Sequence, residues 1–299
     1  MINLSETLRG QLSHNEPLGP YTSWHVGGRA KQFYKPADLA DLAQFLAQLP
    51  PNEPMVWLGL GSNVLIRDGG IAGTVIMTQG GIQALTALDP LTIRAEAGVT
   101  CAKLAKFCAK QQLVEAEFFA GIPGTVGGAL AMNAGAYGGE TWRHVQSVET
   151  IDRYGKIHSR SKADFHIAYR EVKGPPDEWF VAGIFQFPTG DAESANQKIR
   201  TLLRQRSQTQ PIGEFSCGSV FRNPPEGFVG QLIESCGLKG HKIGGAWVST
   251  KHANFIINGG EATAADIENL ILTVQATVKE KTGVSIMPEC HFLGEKAHG

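Results

Sequence analysis

Residues 119–139, FAGIPGTVGGALAMNAGAYGG, constrain this chain more than any other stretch. Seven of the 19 positions 121–139 are glycine, and Asn133 is the segment's one uncharged polar amide. Glycine admits positive φ and close backbone approach, so a cluster of this kind lets peptide N–H groups converge on an anion. The small apolar run after Gly127 predicts a helix whose first N–H groups face a phosphate. A solvated linker would not interleave Ile122, Val126, Leu130 and Met132 among the glycines. The spacing is neither the GxGxxG of a dinucleotide fold nor the GKS or GKT of a P-loop, so it indicates phosphate without identifying the ligand.

Composition narrows the classes. A chain of 299 residues can bury a substantial core, in two domains or in one with sub-lobes. Lys and Arg number 27 against 28 Asp and Glu, a formal net charge of -1. That balance argues against a nucleic-acid groove or an anchor on acidic membrane and leaves room for a local basic pocket. No signal peptide is visible, and no apolar run reaches membrane-spanning length. The five cysteines, Cys101, Cys108, Cys217, Cys236 and Cys290, are scattered without a CxxC or a zinc-like Cys/His set. A reduced, cytoplasmic protein without structural disulfides or a metal is expected.

In chain order, Leu4, Leu8 and Leu12 predict a short helix within residues 1–20, running into a turn at Pro17-Leu18-Gly19-Pro20. A strand over 31–34 follows, then a helix after Pro36 with Leu39, Leu42, Leu46 and Leu49 on one face, then a strand at 56–58. Beyond these come strands over 74–77 and 92–97, a helix over 101–112, and a hairpin of 145–152 with 156–159 around Tyr154-Gly155. A strand over 179–187 and a polar helix over 192–208 lead to the last third. There, short strands are expected at 216–221, 245–248 and 255–258, helices at 228–236 and 264–282, and a closing strand at 285–293. The pattern divides the chain into lobes at 1–72 and 73–210 and an α+β domain at 211–288, with residues 289–299 returning to the first lobe.

Six further segments carry chemistry. Gly59-Leu60-Gly61-Ser62-Asn63 follows an apolar strand, so its N–H groups and the Ser62 hydroxyl can hold another part of a pyrophosphate. In Tyr169-Arg170 the guanidinium can clasp a carboxylate through two parallel hydrogen bonds. Ser219, in CGSVFRNP, lacks the GxSxG elbow of a hydrolase nucleophile, but a hydroxyl can deliver a proton if its neighbours stabilise the alkoxide. Cys217 has no base nearby to make it a nucleophile. Glu289, in MPECHFLG, is a carboxylate in an apolar setting, where raised pKa values allow proton sharing. LKGHKIGGAWVS and HANFI set Lys239 and Asn254 near apolar strands, an arrangement suited to a nucleotide-sugar diphosphate.

These motifs, in this order and over essentially the whole chain, resemble the UDP-N-acetylenolpyruvoylglucosamine reductase family. IPGTVGGA with NAGA is similar to its flavin-pyrophosphate region, and GLGSN with the Thr22…Gly27-Gly28 segment to the rest of its FAD site. The resemblance implies an α+β fold: a two-lobed FAD-binding domain of the vanillyl-alcohol-oxidase (PCMH) type plus a C-terminal α+β substrate domain. It implies FAD contacts from Gly59, Gly61, Ser62, Asn63, Gly121, Pro123, Gly124, Thr125, Gly127, Gly128, Asn133 and Gly135. Substrate contacts would come from Tyr169, Arg170, Lys239 and Asn254, and the catalytic groups would be Ser219, Glu289 and Arg170. The implied activity is that of a UDP-N-acetylmuramate dehydrogenase of peptidoglycan synthesis. NADPH reduces bound FAD, and UDP-N-acetylglucosamine enolpyruvate then receives the hydride, with Ser219 protonating the neighbouring carbon and Arg170 and Glu289 stabilising the enolate. A monomer without nucleic-acid, membrane or metal partners is expected. The chain resembles the family's shorter type and departs from its pattern at Val172, usually serine, and at Cys217, usually alanine or serine. An oxidase of the same broad fold, or a nucleotide-binding regulator, would keep the glycine elements and lose the pair GSVFRNP and PE.

Overall fold

Apolar spacing and end signals place the helices. In Leu39–Gln48 the buried Leu42, Phe45 and Leu46 share a face, and Asp38 caps the start by accepting the Asp41 N–H at 2.9 Å. Ala264–Thr282 opens with a capping box of Thr263 and Asp266 and stops at Gly283, whose φ of 75° is left-handed. The computed structural model describes residues 8–225 and 227–297. Leu4 lies outside the described residues. The helix expected within 1–20 is corrected at its second half, because Leu12 belongs to the strand Gln11–Pro17. That strand has Arg29–Lys35 as a hydrogen-bonded neighbour, whereas three leucines among polar residues give a lone helix little to bury.

Two compact units form. One contains the described residues up to Ser13, with Gln32–Gly59 and Gly73–Gln205. Its central sheet is antiparallel, ordered Ile157–Ser161, Val145–Asp152, Glu178–Gln186, Thr92–Glu96 and Leu85–Ala87. Leu104 and Cys108 of helix Cys101–Lys110 and Leu130 of helix Val126–Ala131 bury against Phe119 and Phe185. Tyr34, Leu42, Phe45, Ile76 and Val181 make a second cluster. Met55–Leu58 runs parallel to Ile71–Met77, with Met55 opposite Thr74.

The other unit contains His14–Lys31, Leu60–Ala72 and the chain from Arg206 onward. Ile267, Leu270, Ile271, Val274 and Val278 line the buried face of Ala264–Thr282. They pack with Val229 and Ile233 of helix Val229–Ser235 and with Ala246, Val248 and Ile256 from the sheet Lys242–Ile243, Ala246–Val248, Ile256–Asn258. The closing strand is shorter than the expected 285–293: only His291–Leu293 is paired, in parallel with Val64–Ile66. The strand expected at 216–221 reduces to one bridge, Phe221 opposite Pro288, flanked by the bonds of the Glu289 and Arg222 N–H groups to the Val220 and Met287 carbonyls. Among the described residues no helix is long and apolar enough to cross a membrane, and the five cysteines are buried and unbridged.

One buried polar group in the first unit carries a pH-dependent expectation. Asp41 is 0% exposed and accepts the Tyr34 hydroxyl at 2.5 Å, the Arg9 N–H at 2.7 Å and the Ala37 N–H at 2.9 Å. Burial pushes its pKa up, but hydrogen bonds from Tyr34, Ala37, Arg9 and Gly10 outweigh that and hold it below the ordinary 3.8. With the folded pKa below the unfolded one, its stabilisation is complete above about pH 4 and is lost as pH falls through the folded value. Asp41→Asn turns an acceptor into a donor facing donors and should cost about 1–3 kcal/mol at neutral pH. Urea midpoints measured across pH check this, and the gap from wild type should narrow on acidification.

Candidate active site

The glycines of residues 119–139 divide by what a side chain would meet. A Cβ on Gly127 would lie 2.8 Å from the Ala97 Cβ, one on Gly121 2.5 Å from the Tyr137 ring, and one on Gly135 2.4 Å from the Gly139 carbonyl. These positions need glycine for close packing. Gly128 differs: it is exposed, and a Cβ there would meet nothing nearer than Thr125 Oγ1 at 3.9 Å. Gly59, Thr125, Gly127 and Gly128 line a cavity of about 300 Å³ whose other walls include Trp57, Val172 and Trp179. Trp57 and Trp179 stack with centroids 5.3 Å apart. The expected helix forms as Val126–Ala131, but its first N–H groups do not all face a ligand. Those of Val126 and Gly127 donate to the carbonyls of Val99 and Ala97 at 2.8 and 2.9 Å, tying the helix to the chain that follows strand Thr92–Glu96. Pro123 and Gly124 lie outside the cavity lining, and the Gly124 carbonyl accepts the Cys101 N–H at 2.9 Å.

Tyr169 and Arg170 occupy the turn of a hairpin, His166–Ala168 with Glu171–Lys173, that no alternation in the sequence announces. Arg170 has φ of 56°, uncommon for a non-glycine residue. Its guanidinium donates from Nη2 to the Gly135 carbonyl at 3.0 Å and from Nη1 to the Asn133 carbonyl at 3.4 Å, and lies 5.1 Å over the Tyr169 ring. The buried Asn133 side chain donates to the Ala168 carbonyl at 3.3 Å and accepts the Trp142 N–H at 3.1 Å. Asn133 and Gly135 therefore sit against the arginine hairpin and are absent from the cavity lining. Val172 pairs with Ile167 in the hairpin and supplies apolar cavity wall.

The second unit brings Ser219 and Glu289 onto neighbouring segments. The Glu289 N–H donates to the Val220 carbonyl at 2.7 Å, and the Arg222 N–H to the Met287 carbonyl at 2.9 Å. Ser219 is exposed and Glu289 half-buried, on two backbone segments that the Glu289–Val220 bond joins. Asn63 Nδ2 donates to the Glu289 carbonyl at 3.2 Å, and the Asn63 carbonyl accepts the His291 N–H at 3.0 Å. Gly61, at φ 59°, admits no side chain, since a Cβ would lie 2.1 Å from the Tyr21 carbonyl. The half-buried Ser62 lies between them.

Other residues singled out from the sequence have local partners. Lys239 Nζ donates to Glu234 Oε1 at 2.7 Å. The Asn254 amide bonds both the N–H and the carbonyl of Phe221, each at 2.9 Å. His25 stacks on Phe215 at 4.0 Å. Burial raises the Cys217 thiol well above its ordinary 9.0, and a hydrogen bond with Cys290 adds to this, which disfavours the thiolate. Among the described residues no group of three or more His, Cys, Asp and Glu could hold a metal.

Residues 210–293 match the family model of the UDP-N-acetylenolpyruvoylglucosamine reductase C-terminal domain, and residues 30–161 match an FAD binding domain. The UDP-N-acetylenolpyruvoylglucosamine reductase of Alkalilimnicola ehrlichii is 56% identical over 286 residues, 96% of each chain. That of Legionella pneumophila (strain Paris) is 56% identical over 288 residues, 96% of this chain and 95% of the relative. The chain belongs to the UDP-N-acetylenolpyruvoylglucosamine reductase family. A crystal structure of the reductase (MurB) from Thermus caldophilus is similar with a TM-score of 0.81 at 29% identity, covering 96% of this chain and 100% of that one. The fold is accordingly the expected one: an FAD-binding domain of the PCMH type followed by the reductase family's C-terminal α+β domain.

The first-unit cavity is the size of one part of the reductase family's flavin dinucleotide and not of the whole. Its aromatic and glycine walls suit a flat heteroaromatic ring joined to phosphate, and the exposed Gly128 leaves room that a side chain would fill. Gly128→Leu puts a side chain into that room while favouring the helix. Purified protein should then bind FAD about 5–150-fold more weakly, the equivalent of about 1–3 kcal/mol of overpacking. The melting temperature of the flavin-free protein should not fall. Flavin titration and thermal melts read the two effects separately.

Proposed function

We propose that this chain reduces UDP-N-acetylglucosamine enolpyruvate to UDP-N-acetylmuramate, with NADPH as electron source and FAD as carrier, in the supply of peptidoglycan precursors. The observation that carries this reading is the Glu289–Val220 hydrogen bond, which joins the GSVFRNP and PE segments in a chain whose N-terminal part matches an FAD-binding domain. It works as a monomer in the cytoplasm. Residues 1–72 and 73–210 serve the flavin, and 211–288 serve the nucleotide sugar.

The chemistry FAD supplies when bound is carriage of a hydride from NADPH to the terminal vinyl carbon of the substrate. Gly59, Thr125, Gly127 and Gly128 would hold it at the cavity wall, Gly61, Ser62 and Asn63 would add backbone contacts, and Gly121, Pro123, Gly124, Asn133 and Gly135 would support the wall and the arginine hairpin from behind. Arg170, beside Tyr169, pairs with the substrate carboxylate, where negative charge accumulates as the vinyl carbon is reduced. Glu289 stabilises the enol form. The Ser219 hydroxyl donates its proton to the carbon next to the carboxylate and completes the D-lactyl ether. Lys239 exchanges Glu234 for the diphosphate, whereas Asn254, expected from the sequence as a substrate contact, has both side-chain atoms on Phe221.

Anaerobic stopped-flow absorbance at the oxidised-flavin band tests this reading. NADPH should bleach the band, and only the enolpyruvyl nucleotide sugar should restore it. A reduced flavin that ignores the sugar and, in a separate aerobic mix, reacts only with oxygen would favour the oxidase alternative; a protein without flavin would equally overturn the reductase reading.

A further inference from the structure

We infer that Asn254 is a positioning residue, which fixes the Ser219 segment against the Glu289 segment rather than touching substrate itself. The inference rests on the reading of Ser219 as proton donor. Asn254 is only 4% exposed. Its Oδ1 accepts the Phe221 N–H and its Nδ2 donates to the Phe221 carbonyl, both at 2.9 Å. Its main-chain carbonyl accepts the Val220 N–H at 2.9 Å. The Val220 carbonyl in turn accepts the Glu289 N–H at 2.7 Å. Both peptide groups of Val220 and Phe221 are thus held by Asn254 and Glu289, and the residue immediately before them is Ser219.

On the other side of Ser219 the chain turns through Gly218 at φ 80°, with nothing within 4 Å of a Cβ built there. Glycine in that conformation gives little restraint, so the downstream clamp sets where the Ser219 hydroxyl sits. An amide that pairs with both halves of one backbone residue is a template for its conformation. Removing it leaves a buried donor and a buried acceptor unpaired. Misplacement by an ångström is enough to impair a proton transfer.

The test uses full-length, FAD-loaded enzyme, with UDP-N-acetylglucosamine enolpyruvate and NADPH as the reagents. Stopped flow reads flavin reduction by NADPH and flavin reoxidation by the sugar separately. In N254A, reoxidation should slow by about tenfold or more while reduction stays within about twofold. N254D is nearly isosteric and gives a sharper signature. As a neutral acid it can donate to the Phe221 carbonyl and accept the Phe221 N–H, whereas as a carboxylate it can only accept. Reoxidation by N254D should therefore be slow near pH 8 and recover by about tenfold towards pH 6, a limb absent from the wild type and from the reduction step.

In the double variant S219A/N254D, the loss should not exceed that of S219A alone, because both changes act on one group. A raised KM for the sugar with the maximal reoxidation rate intact would make Asn254 a substrate ligand and overturn the inference. So would additive losses in the double variant, unchanged reoxidation in N254D at every pH, or equal losses in both half-reactions with a lowered melting temperature. If wild-type flavin ignores the sugar, the functional reading fails rather than this inference.

Discussion

Replacing Ser219 with alanine should leave flavin reduction by NADPH intact and slow reoxidation by the enolpyruvyl sugar by about 10²–10⁴-fold, the usual contribution of a positioned proton donor. The selectivity follows from where the hydroxyl sits. Ser219 is exposed, so the alanine removes a reactive group without opening a cavity. Its backbone neighbours Val220 and Phe221 keep their bonds to Asn254 and Glu289, because those bonds involve no atom of the serine side chain. Melting temperature and flavin content should therefore match the wild type. Equal slowing of both half-reactions would assign Ser219 to cofactor or nicotinamide binding instead, and full activity in S219A would remove it from the chemistry.

Arg170→Ala should lower kcat/KM for the enolpyruvyl sugar by about 10²–10³-fold, the loss expected when a charge-assisted clasp on developing negative charge is removed. NADPH-driven flavin reduction should change little. Arg170→Lys should recover only part of the loss, since an ammonium offers a point charge in place of the planar fork. The arginine arrives preorganised: its guanidinium is held by the carbonyls of Asn133 and Gly135, and its backbone is left-handed at the hairpin turn. Steady-state kinetics with each substrate varied in turn separate the cases. A comparable fall in kcat/KM for NADPH would place Arg170 on the nicotinamide side.

How much of this was legible in the sequence depends on the range of the interaction. Helices Leu39–Gln48 and Ala264–Thr282 could be read because their apolar spacing and caps are local. Leu12 misleads because sheet pairing with Arg29–Lys35 overrides a weak helical spacing. The Tyr169-Arg170 motif stands out by residue type, yet its hairpin does not, since each strand is three residues long and neither alternates clearly. The glycines announce close backbone approach, but which of them pack internally and which face a cavity depends on partners such as Ala97 and Tyr137. For the asparagines, composition suggests ligand contact. Only the fold reveals that Asn254 binds Phe221, 33 residues away, and that Asn63 binds Glu289, 226 residues away.

That last separation bears on how the protein is made. The turn at Asn63 is synthesised early and waits for Glu289, and Val64–Ile66 waits for His291–Leu293 to lie beside it. Closing so long a loop is slow compared with forming local helices. A nascent chain still short of residues 289–293 can fold its local elements, but it lacks both the carboxylate and the strand that seats it. The turn at Asn63 and the strand Val64–Ile66 therefore gain these partners only after the helix Ala264–Thr282 has been made.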